Sequence, residues 1–218
     1  MTAKRPCAIL VADSNMAAAF RGYFKRDGWH LSLGCDPFEI NTEIGADLIV
    51  HEGGNDPGVY TKGHELLRPY QRSHHRALVV LDCEWDGSPG KVAIVAHITA
   101  CLVESGWSAD SVKVNAIDPE LENWLWQDKP QVANALHYKG DKSLRKHLED
   151  GGWWPQGAHK PPRPKEAAEW VLKQTKQPRS SSIYQKLAES ISIKGCTDDA
   201  FAEMHAALQA WFPVEVAA

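Results

Sequence analysis

Three carboxylates stand on alternate residues in the stretch LDCEWDG, as Asp82, Glu84 and Asp86, directly after the apolar run Ala77–Leu81. Acids so spaced repel one another unless a positive charge sits among them. Carboxylate oxygens are the ligands of hard divalent cations, and Mg²⁺ uses only one or two of them plus water and substrate phosphate. If the chain stays extended beyond residue 82, positions i, i+2 and i+4 project to one side, so the three acids face one point. A cation there would remove the repulsion and polarise a phosphodiester. Gly87 permits the close turn this requires. For any single acid a solvated turn is the commoner role, but three at the end of the most apolar strand point to a site.

Such acids need elements to hold them. Residues 7–12, 47–51, 77–81 and 112–116 read as short buried strands, with Trp29–Leu33 as a further one. Helical segments lie between them. One follows a cap at Ser14 or Asn15 and stops at Gly28, others span residues 59–71 and 91–104, and one opens on Asp118-Pro119 as N-cap and N1. Strands alternating with helices predict an α/β fold, a Rossmann-like, mostly parallel sheet covered on both faces. Ligands in such sheets bind outside the carboxyl ends of the strands, where Asp13, Glu52 and Asp82 fall. Glu120 and Glu122 sit near a helix start; helical positions i and i+2 do not share a face, so one of them points inward, and Glu122 beside Trp124 is preferred.

Beyond residue 129 the texture changes to helical stretches near 141–149, 165–176, 182–191 and 197–212, with the loop GGWWPQGAHKPPRP between the first two. The expectation is an α/β domain over 1–130 and an α-helical C-terminal extension over 131–218. Net charge is −4, unevenly spread: Lys139 to Lys186 holds 11 Lys/Arg against 5 Asp/Glu, hence +6, leaving −10 elsewhere. An acidic body beside a basic segment suits cations in one place and polyanions in the other. Lys160, Arg163 and Lys165 are the candidate contacts to nucleic-acid phosphates. Trp153-Trp154 either stack on bases or plug the seam between extension and body, and the seam is preferred. His64, His74 and His75 lack the partners of a zinc site and read as surface residues. Five dispersed cysteines without a CxxC pair, no apolar run long enough for a bilayer and no signal-peptide h-region predict a cytoplasmic protein with no membrane partner.

The run LVVLDCEWDG resembles the DxDxDG motif of Toprim (topoisomerase–primase) domains, with Glu84 in place of the middle aspartate. ILVADSN is similar to the first Toprim motif, with Asp13 where the family has glutamate, and IDPELENWLW resembles the E-x-E-x-W-L stretch of small Toprim-like proteins of unknown function. The resemblance covers roughly residues 7–130. It implies a Mg²⁺ (or Mn²⁺) site with Asp82 and Glu84 as ligands and Asp86 in support, Asp13 and Glu122 as catalytic residues, and phosphodiester chemistry on DNA or RNA, a nuclease. By the same analogy such proteins work with a partner protein, as in anti-phage defence. Two departures matter: Asp13 is a methylene shorter than glutamate and Glu84 a methylene longer than aspartate. A non-catalytic subunit that docks a partner is the rival expectation. The opening AILVADSN and the segment ADLIVHEGG also resemble a receiver domain, with Glu52 where the phospho-acceptor aspartate would be.

Overall fold

The computed structural model describes residues 3–214. In chain order the elements are β1 (Arg5–Val11), α1 (Ser14–Phe24), α2 (Trp29–Leu33), β2 (Leu48–Val50), α3 (Asp56–Leu67), β3 (His74–Asp82), α4 (Lys91–Glu104), β4 (Val112–Ile117), α5 (Glu122–Leu125), α6 (Pro130–Ala135), α7 (Leu144–Asp150), α8 (Pro164–Gln174), α9 (Ser181–Ser190) and α10 (Asp199–Trp211). The four strands form one parallel sheet in the order β2-β1-β3-β4. This is the Rossmann-like α/β architecture with a helical C-terminal region that the alternation of apolar runs predicts.

Residues 77–81 of β3 and 7–11 of β1 are all buried, as a sheet covered on both faces requires. Right-handed crossovers put α1 on one face and α3 with α4 on the other. The chain leaves β1 outward to β2 and returns to β3 on the opposite side, so the topological switch point lies between β1 and β3.

The C-terminal helices share the core rather than hanging from it. One hydrophobic cluster runs from Cys7 through Trp124 and Trp154 to Leu208. Helix α9 lies against α1 at close range: a Cβ at Gly22 would collide with the Gln185 carbonyl of α9. Trp154 is sealed in the seam, edge-on to Trp126 at 5.6 Å and donating its Nε1–H to the Ala158 carbonyl at 2.9 Å.

Three expectations are corrected. Trp29–Leu33 is a helix, not a strand; five residues bracketed by left-handed Gly28 (φ 65°) and Gly34 (φ 61°) carry no periodicity that separates the two. Asp118-Pro119 does not open a helix: the chain runs on as a loop to α5, which begins at Glu122. His74 is buried, not on the surface, its Nε2 3.0 Å from Asp47 Oδ1. Asp47 also takes Arg5 Nη2 at 2.6 Å, which pins the amino end of the sheet, away from the acids described next. Among the described residues no helix is long and apolar enough to cross a membrane.

Candidate metal centre

The carboxyl end of β3 delivers Asp82 to the switch point, where it meets two acids from the β4–α5 connection. Asp82, Glu120 and Glu122 each offer an oxygen, and these oxygens all lie within 4.8 Å of one another. Around Mg²⁺, with bonds of about 2.0–2.1 Å, ligand oxygens stand ~2.9 Å apart when adjacent and ~4.2 Å when opposite, so the three carboxylates would draw closer together to hold the ion.

Local folding explains how Glu120 and Glu122 reach the same point. Helix α5 begins only at Glu122, so Glu120 precedes it and the helical spacing that would separate their faces does not apply. Leu121, between them, donates its backbone N–H to Asp82 Oδ1 at 2.8 Å and locks the connection onto the end of β3. The expectation that only Glu122 points inward is therefore corrected.

Glu84 and Asp86 do not join the group. Strand β3 ends at Asp82, and the Cys83 and Glu84 N–H groups both donate to the Pro119 carbonyl, at 3.1 and 3.2 Å. The backbone bends there, the alternation of an extended chain is lost, and both side chains are exposed. Gly87 does adopt the left-handed turn conformation, at φ 78°.

Two more acids border the cluster. Asp13 follows β1 and caps α1, its Oδ1 accepting from Asn15 N at 2.9 Å and Met16 N at 2.8 Å. Asp56, in the first turn of α3, accepts the Asp82 backbone N–H at 2.7 Å. Glu52, by contrast, is exposed on the β2–α3 loop.

This crowding is costly. Burial, followed by the charges of Asp56, Glu122, Glu120 and Asp13, holds the Asp82 carboxyl well above the usual carboxylate range. Burial and then Glu122 push Glu120 up to about 7. Burial raises Asp56 as well, with Asp13 adding to it. Any species that brings positive charge to this point, a divalent cation or protons, relieves the repulsion.

The C-terminal region supplies the nearest fixed cations. Arg179, before α9, donates from Nη2 to Glu122 Oε1 at 2.7 Å, and the Tyr184 hydroxyl donates to the same oxygen. Arg179 Nε in turn donates to the Tyr184 oxygen at 2.5 Å. Lys165 donates its backbone N–H to Glu120 Oε1 at 2.9 Å, and its side-chain charge favours the ionised forms of Glu120 and Asp56. Of the other basic candidates, Arg163 is exposed with its guanidinium 5.0 Å from the Trp153 ring, and Lys160 turns inward to the Asn123 carbonyl.

Asp56, Arg179 and Tyr184 carry no sequence signal for this site: an acid in a first turn reads as a helix-dipole partner, and Arg179 is 57 residues from Glu122. Compared with protein-family models, with curated proteins and with solved structures, the chain has no match.

Proposed function

We propose that this protein processes nucleic-acid phosphodiesters with a divalent cation, Mg²⁺ or Mn²⁺, held by Asp82, Glu120 and Glu122, and that the reaction is cleavage. The reading rests on one observation above the rest: three carboxylates from two chain segments converge within 4.8 Å at the switch point of a parallel sheet. Of the Toprim-like resemblance it retains Asp82 and the Rossmann-like sheet, while Glu120 and Glu122 take the part that the resemblance gave to Glu84 and Asp86.

A cation bound there supplies charge stabilisation to a phosphate oxygen and an acidified water. The chain's own residues do the rest. Arg179 and Lys165 stand on the C-terminal side of the acids, where guanidinium and ammonium groups favour phosphate. Arg163 extends that positive border to solvent. Asp13 is the acid/base candidate; its Oδ1 is committed to the α1 cap, so a proton would move through its other oxygen.

A second reading has a specific observation in its favour. Arg179 and Tyr184 already occupy Glu122 Oε1, and the raised carboxyl groups can be neutralised by protons instead of a cation. The cluster then serves as a structural joint in a subunit that docks a partner protein. One experiment separates the two: cleavage of a fluorescent single-stranded oligonucleotide in Mg²⁺ or Mn²⁺, run with the intact chain and Asp82→Asn. The enzyme reading expects metal-dependent cleavage that the variant loses, with oligonucleotide binding retained and weakened by salt. No cleavage, together with no Mn²⁺ uptake at millimolar ion, leaves the docking subunit.

A further inference from the structure

A second charged site lies at the far end of α9. A pocket of about 350 Å³ is lined by Arg26, Lys129 and Lys194 together with Ser32, Gln131 and Ser192, and no carboxylate faces it. In a chain of net charge −4, three cations converging without an acid are unexpected. Repulsion among them favours an anion as surely as the acid cluster favours a cation.

Arg26 makes the strongest case. It has no carboxylate partner among the described residues; its guanidinium donates only to the Ile191 carbonyl, and its buried Nε–H has no acceptor. The guanidinium is also held 5.1 Å over the Tyr23 ring, and its remaining donors, without a carboxylate partner, suit an oxyanion. An independent observation points the same way. Arg26, Ile191 and Ile193 also line an adjoining apolar cavity of about 60 Å³ walled by Phe20, Phe24 and Trp124. Gln127, which is 8 % exposed, faces this cavity with an Oε1 that has no donor, while its Nε2 is spent on the Ser192 carbonyl at 2.6 Å. The site thus combines an anion-binding mouth with a small apolar floor and a buried hydrogen-bond acceptor.

We propose that this pocket binds the phosphate group of an organic phosphate, with the anion on Arg26, Lys129 and Lys194 and the organic part towards the Gln127 cavity. The site is separate from the acids. Arg179 precedes α9 and Tyr184 lies in its first half, while residues 190–194 are at its far end, ~9 Å of helical rise beyond Tyr184. The phosphate has two chemical sources, a small phosphomonoester or the terminal phosphate of a nucleic-acid strand.

The test is calorimetric titration of the full chain, at 0.1 M salt and in EDTA, with three probes: inorganic phosphate, a 5′-phosphorylated tetranucleotide, and its unphosphorylated twin. The variant is Lys129→Ala/Lys194→Ala, whose side chains are both exposed, so the fold is retained. The expected result is phosphate binding that the double variant weakens at least tenfold. Tighter binding of the phosphorylated strand than of phosphate, lost in its twin, identifies a strand terminus; equal affinities identify a small phosphomonoester. Absence of heat with phosphate and with the phosphorylated strand at 10 mM overturns the proposal, as does binding that the double variant leaves unaltered. Loss of cleavage at the acid cluster alone does not bear on it.

Discussion

The Arg179 guanidinium donates to Glu122 Oε1 at 2.7 Å, so a residue of the C-terminal region neutralises one of the three acids gathered at the end of β3. The Glu122 side chain is only 4 % exposed. Removing one partner of such a pair leaves the other charge buried and uncompensated, which costs about 3–5 kcal/mol, whereas removing both costs less. Arg179→Met is expected to destabilise the protein by about 3 kcal/mol, and Glu122→Gln added to it to restore part of the loss. Urea unfolding of the four members of this double-mutant cycle checks it; strictly additive losses would show that the pair is uncoupled.

Glu120 sets a pH dependence of the opposite sign to ordinary acid denaturation. Its carboxyl is pushed from 4.5 up to about 7, so the folded chain holds a proton that the unfolded chain releases. Stability from this group is fully present below the unfolded value and is lost as pH rises through about 7. Glu120→Gln keeps the Oε1 that accepts the Lys165 N–H but removes the charge. In EDTA the variant should match the intact chain near pH 4.5 and exceed it at pH 8, by up to about 3 kcal/mol for a shift of this size. A gap that stays constant across this range would refute the assignment.

Much of this frame is legible in the sequence, and the reasons differ by element. Apolar runs such as 77–81 and 7–11, short and rich in β-branched residues, are buried strands as read, and Asp13 and Asp82 follow at their ends. Helix α4 is also found at residues 91–104. The ligand set is harder because it depends on where regular structure stops. One residue of strand beyond Asp82 would have turned Glu84 towards the cluster; hydrogen bonds to the Pro119 carbonyl bend the chain first. One turn more of helix before Glu122 would have separated Glu120 from it. Arg179 arrives through the packing of α9 on α1, a tertiary contact that no local pattern encodes.

The same boundary gives a sharp discrimination among acids. Asp82→Asn and Glu120→Gln are expected to weaken Mn²⁺ binding tenfold or more, read by electron paramagnetic resonance. Glu84→Gln and Asp86→Asn, at exposed positions outside the group, should leave it within twofold. Mn²⁺ affinity that follows Glu84 instead would return the site to the alternating acids of LDCEWDG.

Gly22 tests whether the C-terminal region positions the site or merely covers it. Alanine in the middle of a helix ordinarily gains about 0.5–1 kcal/mol over glycine. Here its Cβ would collide with the backbone carbonyl of Gln185 in α9, and backbone cannot step aside as a side-chain tip can. Helix α9 must then move off α1, at an overpacking cost of about 1–3 kcal/mol. Gly22→Ala should therefore destabilise the protein despite its better propensity. Because α9 carries Tyr184 and follows Arg179, the displacement should also disturb Glu122. Native-state Mn²⁺ affinity, measured well below the melting temperature, is expected to change along with stability. A Gly22→Ala protein that loses stability but binds Mn²⁺ as tightly as the intact chain would confine α9 to a packing role.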